Sequence, residues 1–116
     1  MSIYRDPPLS TEQMLSTIRN GIGLSQIPKK IIVVGAGMSG LVSASLLKDA
    51  GHEVTILEAT QRVGGRIYTM RAPFMDDMYL DVGAMRIPNT HYLALEYIKK
   101  FGLHANPLHL FLRSRR

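Results

Sequence analysis

The apolar run Ile31, Ile32, Val33, Val34 passes straight into Gly35-Ala36-Gly37-Met38-Ser39-Gly40, and a helical pattern follows at once. This succession constrains the fold more than any other feature of the chain. Four consecutive apolar residues, all β-branched, suit a strand buried on both faces. The glycines of a G-x-G-x-x-G turn between strand and helix then have separate uses. Gly35 permits the tight turn, Gly37 lets backbone approach a ligand without a Cβ in the way, and Gly40 allows helix and strand to pack closely. From Met38 to Ala50 the apolar residues Leu41, Val42, Ala44, Leu46, Leu47 and Ala50 recur at helical spacing, with Ser43, Ser45, Lys48 and Asp49 between them. Gly51 is the natural stop, and Val54 to Leu57 is a second short apolar run. Strand, helix and strand within about thirty residues is the pattern of a right-handed βαβ unit.

The start of that helix offers unpaired N–H groups and a partial positive charge, which suits a diphosphate. Gly35, Gly37, Met38, Ser39 and Gly40 are therefore expected to bind a cofactor. Glu58 ends the second strand about twenty residues later, where a carboxylate can accept hydrogen bonds from an adenosine ribose. Ala59 beside it is counted with the same site. The carboxylate would repel a 2′-phosphate, so NADP is disfavoured while FAD and NAD both stay open. The expected fold class is α/β, a Rossmann-like βαβ dinucleotide-binding unit.

Composition narrows the field further. With no cysteine in 116 residues, disulfides and thiolate metal sites are excluded. His52, His91, His104 and His109 lack the spacing of a metal-binding helix, so no metal site is expected. The net charge is +5, but Arg113, Arg115 and Arg116 supply three of those charges. Elsewhere Lys and Arg are interleaved with Asp and Glu, with no aromatic stacking platform, so nucleic acid is not an expected partner. No stretch approaches the roughly twenty apolar residues of a membrane span. The opening residues carry Arg5, Asp6, Glu12 and Arg19 where a signal peptide needs its apolar region. A soluble, cytoplasmic protein is expected.

Around the central unit the chain divides into an arm (1–28), the βαβ unit with its loops (29–88), a helix (89–107) and a basic tail (108–116). In the arm, after Pro7 and Pro8, Ser10 with Gln13 has capping-box spacing, and the helix they open should stop at Gly21. Ile67 to Met70 and Met78 to Val82 read as short strands joined through Ala72, Pro73 and Asp76. From Thr90 to Phe101, Ala94, Tyr97, Ile98 and Phe101 share one helical face, Glu96 can pair with Lys100, and Gly102 closes the helix.

The stretch Glu58-Ala59-Thr60-Gln61-Arg62-Val63-Gly64-Gly65-Arg66 separates FAD from NAD, because it resembles the flavin amine oxidase family. In that family a glycine pair and an arginine follow the ribose-binding acid and pass under the cofactor. Gly64 and Gly65 would let backbone lie against a ligand, and Arg66 would add a cation near the phosphates and flavin. Gly83-Ala84-Met85-Arg86-Ile87-Pro88 is similar to the segment that contacts the flavin in the L-amino-acid oxidase branch and presents an arginine to the substrate carboxylate. The resemblance thus implies cofactor contacts at Gly83, Ala84, Met85 and Arg86, with Arg86 also binding substrate through its planar fork. A simpler role for Arg86 is pairing with Asp81 or another nearby acid. Ile18-Arg19-Asn20-Gly21, Pro28-Lys29-Lys30 and Tyr97-Ile98-Lys99-Lys100-Phe101-Gly102-Leu103 are similar to the same branch, so the resemblance runs from Ile18 to Pro107.

What the resemblance implies is the FAD-binding N-terminal part of an L-amino-acid oxidase, with an L-amino acid and oxygen as substrates. No residue here is a convincing general base, and none is assigned a catalytic role. Family members are several times longer, and the run from Leu108 to Arg116 departs from their pattern. Activity is accordingly not expected of the chain alone, and oligomerisation or association with a C-terminal portion would complete it. A monoamine or polyamine oxidase and a non-catalytic nucleotide-binding fragment are the alternatives. A NAD-dependent dehydrogenase would leave Gly64, Gly65 and Arg66 unexplained.

Overall fold

The computed structural model describes residues 8–75 and 77–105. Expectations that rest on Arg5, Asp6, Pro7, Asp76, Pro107, His109 and the basic tail lie outside those residues. The first helix, α1 (Thr11–Asn20), opens on the capping box read from the sequence. Ser10 Oγ accepts from Gln13 N at 3.2 Å while Gln13 Oε1 accepts from Ser10 N at 2.7 Å, so two backbone donors that the helix leaves free are both satisfied. Gly21, at φ 76°, ends the helix by donating its N–H to the Thr17 carbonyl.

Strand β1 (Lys30–Val34), helix α2 (Met38–Asp49) and strand β2 (Glu53–Leu57) follow in order, and the strands pair in parallel from Lys30↔Glu53 to Val34↔Leu57. Helix α2 packs on this pair with the face its sequence marks out. Ala44 and Ala50 are buried, Leu41, Val42, Leu46 and Leu47 half-buried, and Ser43, Ser45, Lys48 and Asp49 exposed. Gly40 explains how close the helix can come: a Cβ there would lie 2.0 Å from the Gly35 carbonyl oxygen and 3.5 Å from Val33 Cγ1.

Burial of β1 on both faces, as the apolar run suggests, is not what the described residues provide. Ile31 and Val33 are half-buried, whereas Ile32 is 64% and Val34 84% exposed. The cause is layer number. Two strands and one helix cover one side of the pair, and the alternation of side chains sends Ile32 and Val34 to the other. Leu57, the register partner of Val34, is 52% exposed on β2.

The expected second pair of strands is present but shorter, as β3 (Thr69–Met70) antiparallel to β4 (Leu80–Asp81). Single hydrogen bonds from Val82 N to Tyr68 O and from Ala84 N to Arg66 O carry the pairing on toward the loop. The last helix, α3 (Tyr92–Lys100), also falls short of the expected span. Two details of that helix differ from its sequence pattern. Glu96 pairs with Arg19 of α1 through Nε–Oε1 at 2.7 Å and Nη2–Oε2 at 3.1 Å, and Lys100 donates to the Ile18 carbonyl at 2.6 Å. A two-pronged guanidinium–carboxylate contact outcompetes a lysine four residues along the same exposed helix, whose pairing is worth only a few tenths of a kcal/mol. The docked face also shifts: Leu93, Leu95, Tyr97 and Ile98 are half-buried, while Ala94 and Phe101 are exposed.

An apolar sheet face open to water predicts marginal stability for the 116-residue chain by itself. Thermal unfolding followed by circular dichroism is expected to be broad, and a sharp cooperative transition in a monomeric sample would contradict this.

Candidate functional site

The glycine turn is built as its sequence requires. Gly35 sits at φ 98°, a left-handed conformation that side chains rarely adopt, and its N–H donates to the Leu57 carbonyl at 2.7 Å. Gly37 is the N-cap of α2 and provides no side-chain cap, so the first turn of a 12-residue helix opens without an internal acceptor. A Cβ at Gly35 would meet nothing within 4 Å, and one at Gly37 would meet only the Gly65 Cα at 4.0 Å. The space in front of the turn is open. Met38 and Ser39 are exposed beside it.

Glu58 lies at the end of β2 and reaches back to this turn. Its Oε2 accepts the Ala36 N–H at 2.7 Å, and its Oε1 accepts the N–H and the hydroxyl of Thr60 at 2.9 and 2.8 Å. The Ala36 N–H, followed by the two Thr60 donors, stabilises the charged form and holds the carboxyl at about 2, well below the usual carboxylate range. Each carboxylate oxygen has two lone pairs. Oε2 therefore keeps an acceptor position beyond the one given to Ala36. Glu58 is both a staple for the turn and a remaining acceptor beside it.

The loop after Glu58 is drawn against the same turn. Gly64 N donates to the Ala36 carbonyl at 2.8 Å, which places the two glycine segments side by side. A Cβ on Gly65 would stand 3.3 Å from the Gly37 Cα. Arg62 ties the loop from within: Nη2 donates to the Gly65 carbonyl at 2.7 Å, and Nη1 to the carbonyls of Ile67 at 3.2 Å and Val63 at 3.4 Å. Its guanidinium also lies 4.5 Å from the centre of the Tyr68 ring. Nothing in the order of residue types singles out Arg62, since its partners are backbone carbonyls. Its position ahead of two glycines, whose carbonyls no side chain shields, is the only available sign.

Gly83 continues the contact. A Cβ there would fall 2.1 Å from the Arg66 carbonyl oxygen and 3.0 Å from Tyr68 N, so Gly83 passes flush against the loop. An open depression of about 500 Å³ is lined here by Arg62, Gly65, Arg66, Tyr68, Val82, Gly83 and Ala84. Of the residues singled out in the sequence, the fold thus gathers Gly35, Gly37, Gly40 and Glu58 at the turn, and Arg66, Gly83 and Ala84 around the depression. Met85 and Arg86 are exposed and do not line it. Pairing of Arg86 with Asp81 is not formed either: Asp81 Oδ1 accepts from the Thr69 hydroxyl instead.

Comparison with known proteins bears directly on this arrangement. The sequence model of the family described as "Flavin containing amine oxidoreductase" matches residues 38–114. The chain belongs to this family. A Bacillus subtilis (strain 168) protein named "Putative L-amino-acid oxidase YobN" is 63% identical over 98 residues, covering 84% of this chain and 20% of the relative. An L-amino-acid oxidase of Sistrurus catenatus edwardsii is 50% identical over 95 residues, 82% of this chain and 18% of the relative. One from Pseudechis australis is 48% identical over 95 residues, again 82% of this chain and 18% of the relative. The chain therefore spans about one fifth of the length of these curated relatives.

Two glycine segments and a carboxylate thus converge within a short chain of a flavin-containing amine oxidoreductase family. Two outcomes follow from the geometry. Glu58 should titrate near 2 rather than near the ordinary 4.5 when followed by carboxyl NMR shifts. Because its value is depressed, the tie to Ala36 is at full strength above about 4.5 and is lost as pH falls through about 2. A midpoint near 4.5 would mean that the tie is not made. Gly83→Ala should destabilise the hairpin by about 1–3 kcal/mol, since the new methyl group must displace backbone atoms; a melting temperature equal to the parent's would exclude that close contact.

Proposed function

We propose that this chain is the FAD-anchoring N-terminal part of an L-amino-acid oxidase, built on a Rossmann-like βαβ dinucleotide-binding unit. The observation that carries the reading is the convergence of the glycine turn, Glu58 and the Gly64–Gly65 loop on one open face. That donor set fits a dinucleotide. The open first turn of α2 suits a diphosphate, and the spare acceptor position on Glu58 Oε2 suits a ribose hydroxyl. A 2′-phosphate would be repelled by the same carboxylate. The second glycine segment, pressed against the first, extends the backbone surface past the diphosphate, which a nicotinamide dinucleotide reading leaves without a use.

In this assignment Gly35, Gly37, Met38, Ser39, Gly40, Glu58 and Ala59 hold the adenosine and diphosphate half. Arg66, Gly83, Ala84, Met85 and Arg86 serve the flavin half. Bound flavin supplies the hydride acceptor for oxidation at an α-carbon and is returned to its oxidised state by oxygen. The overall reaction takes an L-α-amino acid, oxygen and water to a keto acid, ammonia and hydrogen peroxide, water hydrolysing the released imino acid. Arg86 binds and orients the substrate carboxylate; it is not a proton carrier, because a guanidinium stays charged at any working pH. The names of the similar proteins support that role, as does the exposed guanidinium of Arg86, which has no acidic partner among the described residues. No general base is assigned to this segment.

A second reading, an oxidase for amines without a carboxylate, is favoured by one feature: Arg86 does not line the depression that Arg66 and Gly83 form. Arg86→Ala in the longer protein separates the two. The expected result is a drop in kcat/KM for L-amino acids on the order of 100-fold, with FAD retained at full occupancy. Unchanged kinetics for carboxylate-bearing substrates would remove the L-amino-acid assignment and leave the second reading.

A further inference from the structure

We infer that Arg62 is the positioning residue of the site, fixing the Gly64–Gly65 loop at the height and angle that let a flavin dinucleotide continue from the glycine turn. The inference rests on the FAD reading and concerns a residue that reading does not assign. A loop with two consecutive glycines at φ 109° and 57° has few conformational restraints of its own. Its carbonyls need donors, and the loop is too short to form a ladder. Arg62 supplies donors to three of them from one planar group, at Val63, Gly65 and Ile67, and packs that plane against Tyr68.

The effect reaches both sides of the site. Gly64 is bonded to the Ala36 carbonyl, so the loop's position is referred to the turn; the Arg66 carbonyl receives the Ala84 N–H, so it is also referred to the hairpin. Thr60 joins the other end, donating through its N–H and its hydroxyl to Glu58 Oε1 while its Oγ1 accepts the Arg62 N–H at 3.5 Å. One chain of hydrogen bonds therefore runs from Ala36 through Glu58 and Thr60 to Arg62 and on to Gly65 and Ile67. With the Val63, Gly65 and Ile67 carbonyls turned onto Arg62, Gly65 is the loop residue that stands against Gly37. Releasing the clasp would leave the turn and Glu58 intact and let the loop swing, so only the part of a ligand beyond the diphosphate would sense it.

Lysine is the informative replacement, because an ammonium keeps the charge but cannot span three carbonyls with a flat fork. The longer protein and its Arg62→Lys and Arg62→Ala variants would be titrated with FAD, read by flavin fluorescence, and with ADP, read by calorimetry. Amide hydrogen exchange at Gly64 and Ile67 would be measured alongside. The expected result is that both variants lose about ten-fold in FAD affinity while ADP affinity holds, with faster exchange at Ile67. Restoration of FAD binding by lysine would show that charge alone matters and would overturn the clasp. Loss of ADP together with FAD would equally overturn it, since the turn would then depend on Arg62 too. If the unsubstituted longer protein binds neither ligand, the FAD reading fails, and exchange alone decides: faster Ile67 exchange in the variants keeps the clasp, and unchanged exchange removes it.

Discussion

The tie between the Glu58 carboxylate and the Ala36 N–H is the interaction on which the rest of the site depends. It is made between the tip of one strand and the turn that leaves the other, so it can form only when the strands are parallel, neighbouring and in the register seen here. The Gly35 N–H to Leu57 carbonyl bond reinforces that register one residue earlier. Charge assistance makes the carboxylate bond stronger than a neutral one of the same geometry. It also leaves Glu58 ionised through the whole physiological range. The fold thus fixes where this negative, hydrogen-bond-accepting edge stands relative to the glycine turn.

Glycine enters this site as a way of bringing three pieces of backbone closer than side chains allow. Gly40 admits the Gly35 carbonyl beneath the helix, Gly65 admits Gly37, and Gly83 admits the Arg66 carbonyl. Each is a contact between main chains, so its geometry does not vary with rotamer choice. Such a platform is stiff where it meets itself and open where it meets solvent, which is the combination that lowers the cost of ordering a ligand.

How much of this was legible in the sequence depended on the range of the interactions. The capping box at Ser10 and Gln13, the stop at Gly21 and the buried face of α2 involve residues within a few positions of one another, and all appear as read. The parallel pairing of β1 and β2 was legible because the helix between them leaves few other arrangements. Helical periodicity offers Glu96 only Lys100, a neighbour on the same helix, whereas its partner, Arg19, lies 77 residues away. The exposed Ile32 and Val34 show the same limit in another form: residue type marks a position as fit for burial, but a neighbouring layer has to supply the cover. Arg62 escaped notice because backbone carbonyls, its partners, are common to every residue.

The contact of α1 with α3 sets an order on assembly. Arg19 and Glu96 meet only after a stretch of 77 residues has been closed, and Lys100 reaches Ile18 across 82. The entropy lost in closing so long a loop is offset by a guanidinium that is half in water, one ammonium–carbonyl bond and the apolar packing that buries Ile18. The strand–helix–strand core, whose partners lie within some thirty residues, carries no such burden. Loop length therefore favours closure of the strand–helix–strand unit ahead of the bracket formed by the two helices, and the glycine turn does not wait on that bracket.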